Sequence, residues 1–150
     1  MQVVFWASNV RTGFYSLPGL YHLYLMLACE TMDHVYSIYI MNHEIKILIV
    51  DDEQSLASML RLTLVSLGYQ SPEIVSNSTD AIEKTRSFEP HIILMDIMLN
   101  DRIDGIETAQ IIRADYDIPV IFMTGKPSEE IFVRAREAGP YGYLIKPIRE

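Results

Sequence analysis

A chain of 150 residues, 49% hydrophobic and 21% charged, is long enough for one globular domain with a buried core and for little besides. Its net charge of -8 disfavours direct binding to nucleic acid or anionic membranes, where affinity comes mainly from basic residues. The single cysteine, Cys29, excludes an internal disulfide and fits a reducing, cytoplasmic setting.

Charge is unevenly spread. Residues 1–40 carry Arg11 against Glu30 and Asp33, a net 1 - 2 = -1, which leaves -7 for residues 41–150. Residues 1–43 are rich in aromatics and show no helical or strand period, so they are expected to form an N-terminal extension, disordered or outside the native chain. In the latter case Met32 or Met41 is the true start. The uncharged run from Thr12 to Cys29 brushes the length of a membrane span, but Gly13, Pro18, Gly19, His22 and three tyrosines weaken it, and no membrane association is expected. An export signal is weak as well, with one positive charge ahead of the apolar run. An ordered role packed against the rest of the chain is the third option.

From Ile45 the pattern becomes regular. "IKILIV" (45–50) predicts a strand, and "SLASMLRLTLVSLG" (55–68) repeats apolar residues at helical spacing through Leu56, Met59, Leu60, Leu64 and Leu67 before Gly68. Ile74 and Val75 form a second short strand. The polar residues Asn77 to Thr79 then cap a helix with Ala81, Ile82 and Phe88 inward. "HIILMD" (91–96) is a third strand, followed by the loop "IMLNDRID" and a helix from Gly105 to about Ala114. "IPVIFMT" (118–124), a helix over 127–139 with Pro127 near its first turn, and the strand "YGYLI" (141–145) complete the series. Such alternation predicts an α/β domain over 44–150 with a parallel sheet covered on both faces. Only Ile148, Arg149 and Glu150 follow Lys146-Pro147, so the domain is expected to be truncated after its fifth strand, with the last helix missing. Apolar surface beside the first and fifth of these strands would then favour a homodimer or cover by the N-terminal segment.

In open parallel sheets ligands bind at the carboxyl ends of the strands. Those ends carry Asp51 and Asp52, Asp96, Thr124 and Lys146. Three carboxylates on one edge repel one another, but a hard divalent cation prefers such oxygen ligands, and Mg2+ commonly takes one or two carboxylates with water and phosphate oxygens. Asp96 can serve as ligand and as nucleophile towards phosphorus, while Thr124 and Lys146 offer a donor and a positive charge to phosphoryl oxygens. Singly, each is an ordinary turn or surface residue. Jointly they describe a phosphoryl-transfer site.

"LIVDDE", "IILMDIML", "IDGIE", "VIFMTGK" and "YGYLIKP" together resemble the receiver domain of two-component response regulators, over residues 45–147. The resemblance implies a flavodoxin-like, doubly wound five-stranded parallel sheet of order 2-1-3-4-5. It implies a signalling switch and not a turnover enzyme: a phospho-acceptor fed by a histidine kinase or phosphotransfer protein and read by a downstream effector protein. Asp96 matches the acceptor, and Asp51 and Asp52 match the acidic pair that holds Mg2+ together with Asp96 and the backbone carbonyl of Met98. Thr124 matches the switch hydroxyl, Lys146 the lysine that pairs with the phosphoryl group, and Tyr143 the switch aromatic. Met98 and Lys126 stand at the two positions that tune phosphoryl lifetime in this family, and an apolar Met98 implies a long-lived phosphorylated state. The loop "IMLNDRIDG" departs from the family in lacking a proline and in being one residue longer. Two alternatives stay open: a receiver-like interaction module that works without phosphorylation, and a haloacid-dehalogenase-like phosphatase, which would instead carry its nucleophile in a D-x-D motif after the first strand.

Overall fold

Short aliphatic runs bounded by turn residues bury both faces and become central strands, while longer amphipathic segments cover them. The computed structural model describes Val3–Phe5, residues 45–70 and residues 72–148. Its elements are β1 (Val3–Phe5), β2 (Ile47–Val50), α1 (Gln54–Ser66), β3 (Glu73–Val75), α2 (Ser78–Phe88), β4 (Ile92–Asp96), α3 (Gly105–Asp115), β5 (Val120–Thr124), α4 (Glu129–Glu137) and β6 (Gly142–Ile145).

The sheet order is β1-β6-β5-β4-β2-β3. Pairs among β2 to β6 are all parallel, so the five strands counted from β2 have the order 2-1-3-4-5 expected of the flavodoxin-like fold. Four helices are present among the described residues, and none follows β6. One strand was not expected: Val3–Phe5 adds a sixth, antiparallel to β6, with Val4 opposite Tyr143. A three-residue apolar triplet is too short to show a period, so nothing in it distinguishes strand from coil. The other residues of the 1–43 extension lie outside the described residues.

Strand side chains alternate between two cores. Leu48, Val50, Ile93, Met95 and Phe122 face Ala81 of α2, Ile106, Ala109 and Ile112 of α3, and Ala135 of α4. Ile47, Ile49, Leu94, Ile121 and Met123 pack with Ala57, Leu60 and Leu64 of α1. The apolar face expected to lie bare is buried at Ile47 and Ile49 and half-buried at Leu144 and Ile148.

Helix starts follow from their caps. Asn77 accepts from the Asp80 amide, Asp104 and Glu107 form a capping box, and Ser128 accepts from the Ile131 amide. The last helix therefore begins at Glu129 and not at Pro127, because the Ser128 hydroxyl satisfies an orphan amide that Pro127 cannot. One glycine-dependent close approach closes the acceptor loop. Gly105 opens α3 against the end of β4, where an added Cβ would overlap the main-chain carbonyl of Asp96, and its amide donates to Ile97 O at 3.0 Å. A Gly105→Ala substitution gains up to about 1 kcal/mol of helix propensity but forces apart two main-chain segments, at about 1–3 kcal/mol. Chemical denaturation of this variant should show a net loss of stability; a gain would refute the close approach.

Candidate functional site

Parallel pairing places the carboxyl ends of β2, β4, β5 and β6 along one edge, where β2 delivers Asp51 and Asp52 and each of the others one predicted residue. Asp51 continues the sheet beyond β2, its amide donating to Val75 O at 3.0 Å, and is fully buried. Asp96 ends β4 at 5% exposure, Thr124 ends β5 fully buried, and Lys146 follows β6 with its amide on Thr124 O at 2.8 Å. Asp52 is the exposed member of the acidic group.

Carboxylate oxygens of Asp51, Asp52 and Asp96 lie within 4.8 Å of one another. Glu53 is outside this group: it stands at the N-cap position of α1 without a side-chain cap bond, and its amide donates to Asp51 Oδ1 at 3.0 Å. Lys146 Nζ reaches Asp51 Oδ2 at 2.7 Å and Asp96 Oδ2 at 2.8 Å. Burial pushes the Asp51 carboxyl above its usual range against the counteracting Lys146 ammonium. For Lys146, burial acts to lower the pKa, but the hydrogen bonds to Asp51 and Asp96 outweigh it and the ammonium is held above its ordinary value. One lysine thus faces three acids, a surplus of negative charge whose oxygen donors suit a hard cation such as Mg2+.

Thr124 Oγ1 accepts from the Lys126 amide at 3.2 Å, which leaves its proton available to a further acceptor. Tyr143 is buried in the core beneath α4, its ring edge-on to Phe132 at 5.4 Å, and its hydroxyl has no hydrogen-bond partner among the described residues. Burial pushes the phenol up, with the nearby Thr124 side chain opposing. The Met98 amide donates to Asp96 Oδ1 at 3.2 Å, while its side chain is half exposed. Lys126 is exposed, beyond the carboxylate group.

The contacts of Asn100, Asp101 and Asp104 in the loop between β4 and α3 were not expected from the sequence. The Asn100 amide donates to Asp52 Oδ2 at 3.3 Å. Asp101 accepts from Ser78 N at 2.8 Å and from the Ser78 hydroxyl at the start of α2, and these contacts hold its carboxyl below the usual range. Asp104 pairs with Arg134 of α4 at 2.7 Å. These pairings span 23 to 48 residues, and no local pattern announces them.

A family model described as "Response regulator receiver domain" matches residues 47–150. The DNA-binding response regulator MtrA of Mycobacterium tuberculosis is 33% identical over 104 residues, which are 69% of this chain and 45% of MtrA. The chain therefore spans less than half the length of that relative. Among solved structures, the signal receiver domain of a modulated diguanylate cyclase from Desulfovibrio desulfuricans G20 is 39% identical with a TM-score of 0.65, covering 69% of this chain and 82% of that one. A two-component response regulator from Clostridium difficile is 29% identical with a TM-score of 0.66, covering 71% and 86%.

Removing one partner of a buried ion pair leaves the other uncompensated. Lys146→Met should lower stability at neutral pH by about 3 kcal/mol, and the double variant with Asp51→Asn should recover part of that loss. Strictly additive losses in a double-mutant cycle would show that the pair is not coupled.

Proposed function

The chain belongs to the response regulator receiver domain family of two-component signalling, and we propose that it is a phospho-acceptor switch in which Asp96 takes a phosphoryl group from a histidine kinase or phosphotransfer protein. The observation that carries this is the joint placement of Asp96, the Asp51 and Asp52 carboxylates and the Lys146 ammonium at one sheet edge. Mg2+, held by Asp51, Asp52, Asp96 and the Met98 carbonyl, would neutralise charge on the phosphoryl oxygens.

In the transfer, an Asp96 carboxylate oxygen attacks phosphorus and forms the P–O bond as the P–N bond of a phosphohistidine breaks. The departing imidazole nitrogen keeps the electron pair of the broken bond and takes its proton from solvent water. Lys146 then exchanges its contact with Asp96 for one with a phosphoryl oxygen, keeping Asp51 as its anchor. Thr124 turns its hydroxyl proton to a second oxygen. Tyr143, buried beside Thr124, is the element between these two residues and α4. Two packings of Tyr143 against Phe132 would give the α4 and β6 surface two states, read by a downstream effector protein.

The same proposal makes the chain a switch and not a turnover enzyme, working in a cytoplasmic setting with which the lone cysteine is consistent. Among the described residues no helix is long and apolar enough to cross a membrane. DNA binding is named for MtrA, and the acidic balance of this chain gives phosphate backbones little to hold. Self-association would draw on Met59, Leu62 and Val65, exposed on α1.

Incubation with acetyl phosphate and Mg2+ should add the mass of one phosphoryl group to the wild type and none to Asp96→Asn. No adduct on the folded wild type, or rapid turnover of p-nitrophenyl phosphate, would overturn the proposal. Met98 offers no polar group to orient an attacking water, and Lys126 offers only a cation. Met98→Asn should therefore shorten the lifetime of the adduct. An unchanged decay rate would remove Met98 from this role.

A further inference from the structure

The loop from Ile97 to Asp104 must bring its main chain to the carboxylates although most of its polar side chains face solvent. Its inner side is fixed by Ile97 and Leu99, both buried. Its entry and exit are joined by Gly105 N to Ile97 O at 3.0 Å. What remains is the outer turn, Met98 to Arg102. The Asn100 amide reaches across to Asp52 Oδ2, and the next residue, Asp101, leaves the site and docks on α2.

Asp101 is well placed for that docking. Its Oδ2 takes the Ser78 amide and hydroxyl, and its Oδ1 takes the Arg102 amide at 2.7 Å. Ser78 is the first residue of α2, behind the Asn77 cap, so its amide has no intrahelical partner and the helix dipole favours an anion there. Ser78 is 4% exposed, which makes it a fixed post and not a mobile surface group.

We infer that Asp101 is a positioning residue of the cation site: by tying the outer turn to α2 it holds the Met98 carbonyl and the Asn100 amide against the carboxylates. This rests on the proposed Mg2+ role of those carboxylates. Asp101 itself touches no ligand. Losing it lets the turn lift, which removes the Asn100 donor from Asp52 and leaves the Met98 carbonyl unplaced. Outer contacts of this kind typically change metal affinity 10- to 100-fold.

The test titrates Mg2+ alone into the full chain by calorimetry, with amide hydrogen exchange measured on the Mg2+-free protein. Asp101→Ala should weaken Mg2+ binding by on the order of tenfold and speed exchange at Ser78 and Asn100, in a protein that stays folded but melts at a lower temperature because the buried Ser78 amide loses its acceptor. Asp101→Asn, whose amide oxygen can still accept from Ser78, should keep most of the affinity. Wild-type affinity in Asp101→Ala, or an Asp101→Asn variant as weak as the alanine one, would overturn the assignment while leaving the proposed function standing. A wild type that binds no Mg2+ would overturn the proposed function and this role with it.

Discussion

Everything at the functional edge depends on how the sheet accommodates Asp51 and Asp96, two nearly solvent-free carboxylates at the ends of neighbouring strands. Burying one carboxylate costs several kcal/mol unless it is paired. Two such acids, with Asp52 beside them, are tolerable because Lys146 comes from β6, two strands beyond β4, to contact both. The parallel order is what makes this possible: it brings residues 95 positions apart in sequence to 2.7 Å. The fold therefore sets up a site whose own charges do not balance, one that a cation completes and a phosphoryl group rearranges.

Beyond the carboxylates, the acceptor loop is tied to two helices on the same face of the sheet. Asp101 joins it to α2 and Asp104 joins it, through Arg134, to α4. At the far end of α4, Arg113 of α3 donates to Ala138 O at 2.7 Å and to Gly139 O. The C-terminal half of α4 is thus linked to both ends of α3, at Asp104 and Arg113, and Phe132 just before it packs edge-on against Tyr143. Arg134 is partly exposed, so its ion pair contributes little stability in water. Its importance is directional, since it connects the loop next to Asp96 with the helix that would carry the output.

Much of this was legible in the sequence because it is periodic or terminal. The strands from Ile47 onward and the four helices follow from apolar spacing and, for α2, from the polar cap beginning at Asn77. Asp51, Asp52, Asp96, Thr124 and Lys146 stand out because strand ends of a parallel sheet converge. The β1 strand was not legible, since three apolar residues carry no period and its pairing with β6 is made across nearly the whole chain. Asp101 was not legible either. An aspartate in a loop of turn-forming residues looks like solvated charge until α2, folded from an earlier segment, presents the Ser78 amide to it. The start of the last helix was shifted because proline and serine both signal a first turn, and only the capping hydrogen bond decides between them.

The central claim is that Asp96, Lys146 and Thr124 reorganise around a phosphoryl group beside a bound cation. A crystal structure of the protein with Mg2+ and beryllofluoride tests it most directly. Beryllofluoride should be joined to an Asp96 oxygen, with Mg2+ on Asp51, Asp52 and Asp96, and with Lys146 Nζ moved from Asp96 to a fluorine and Thr124 Oγ1 on another. An Asp96 carboxylate free of fluoride under those conditions, still paired with Lys146 and with no metal on the acidic cluster, would contradict it.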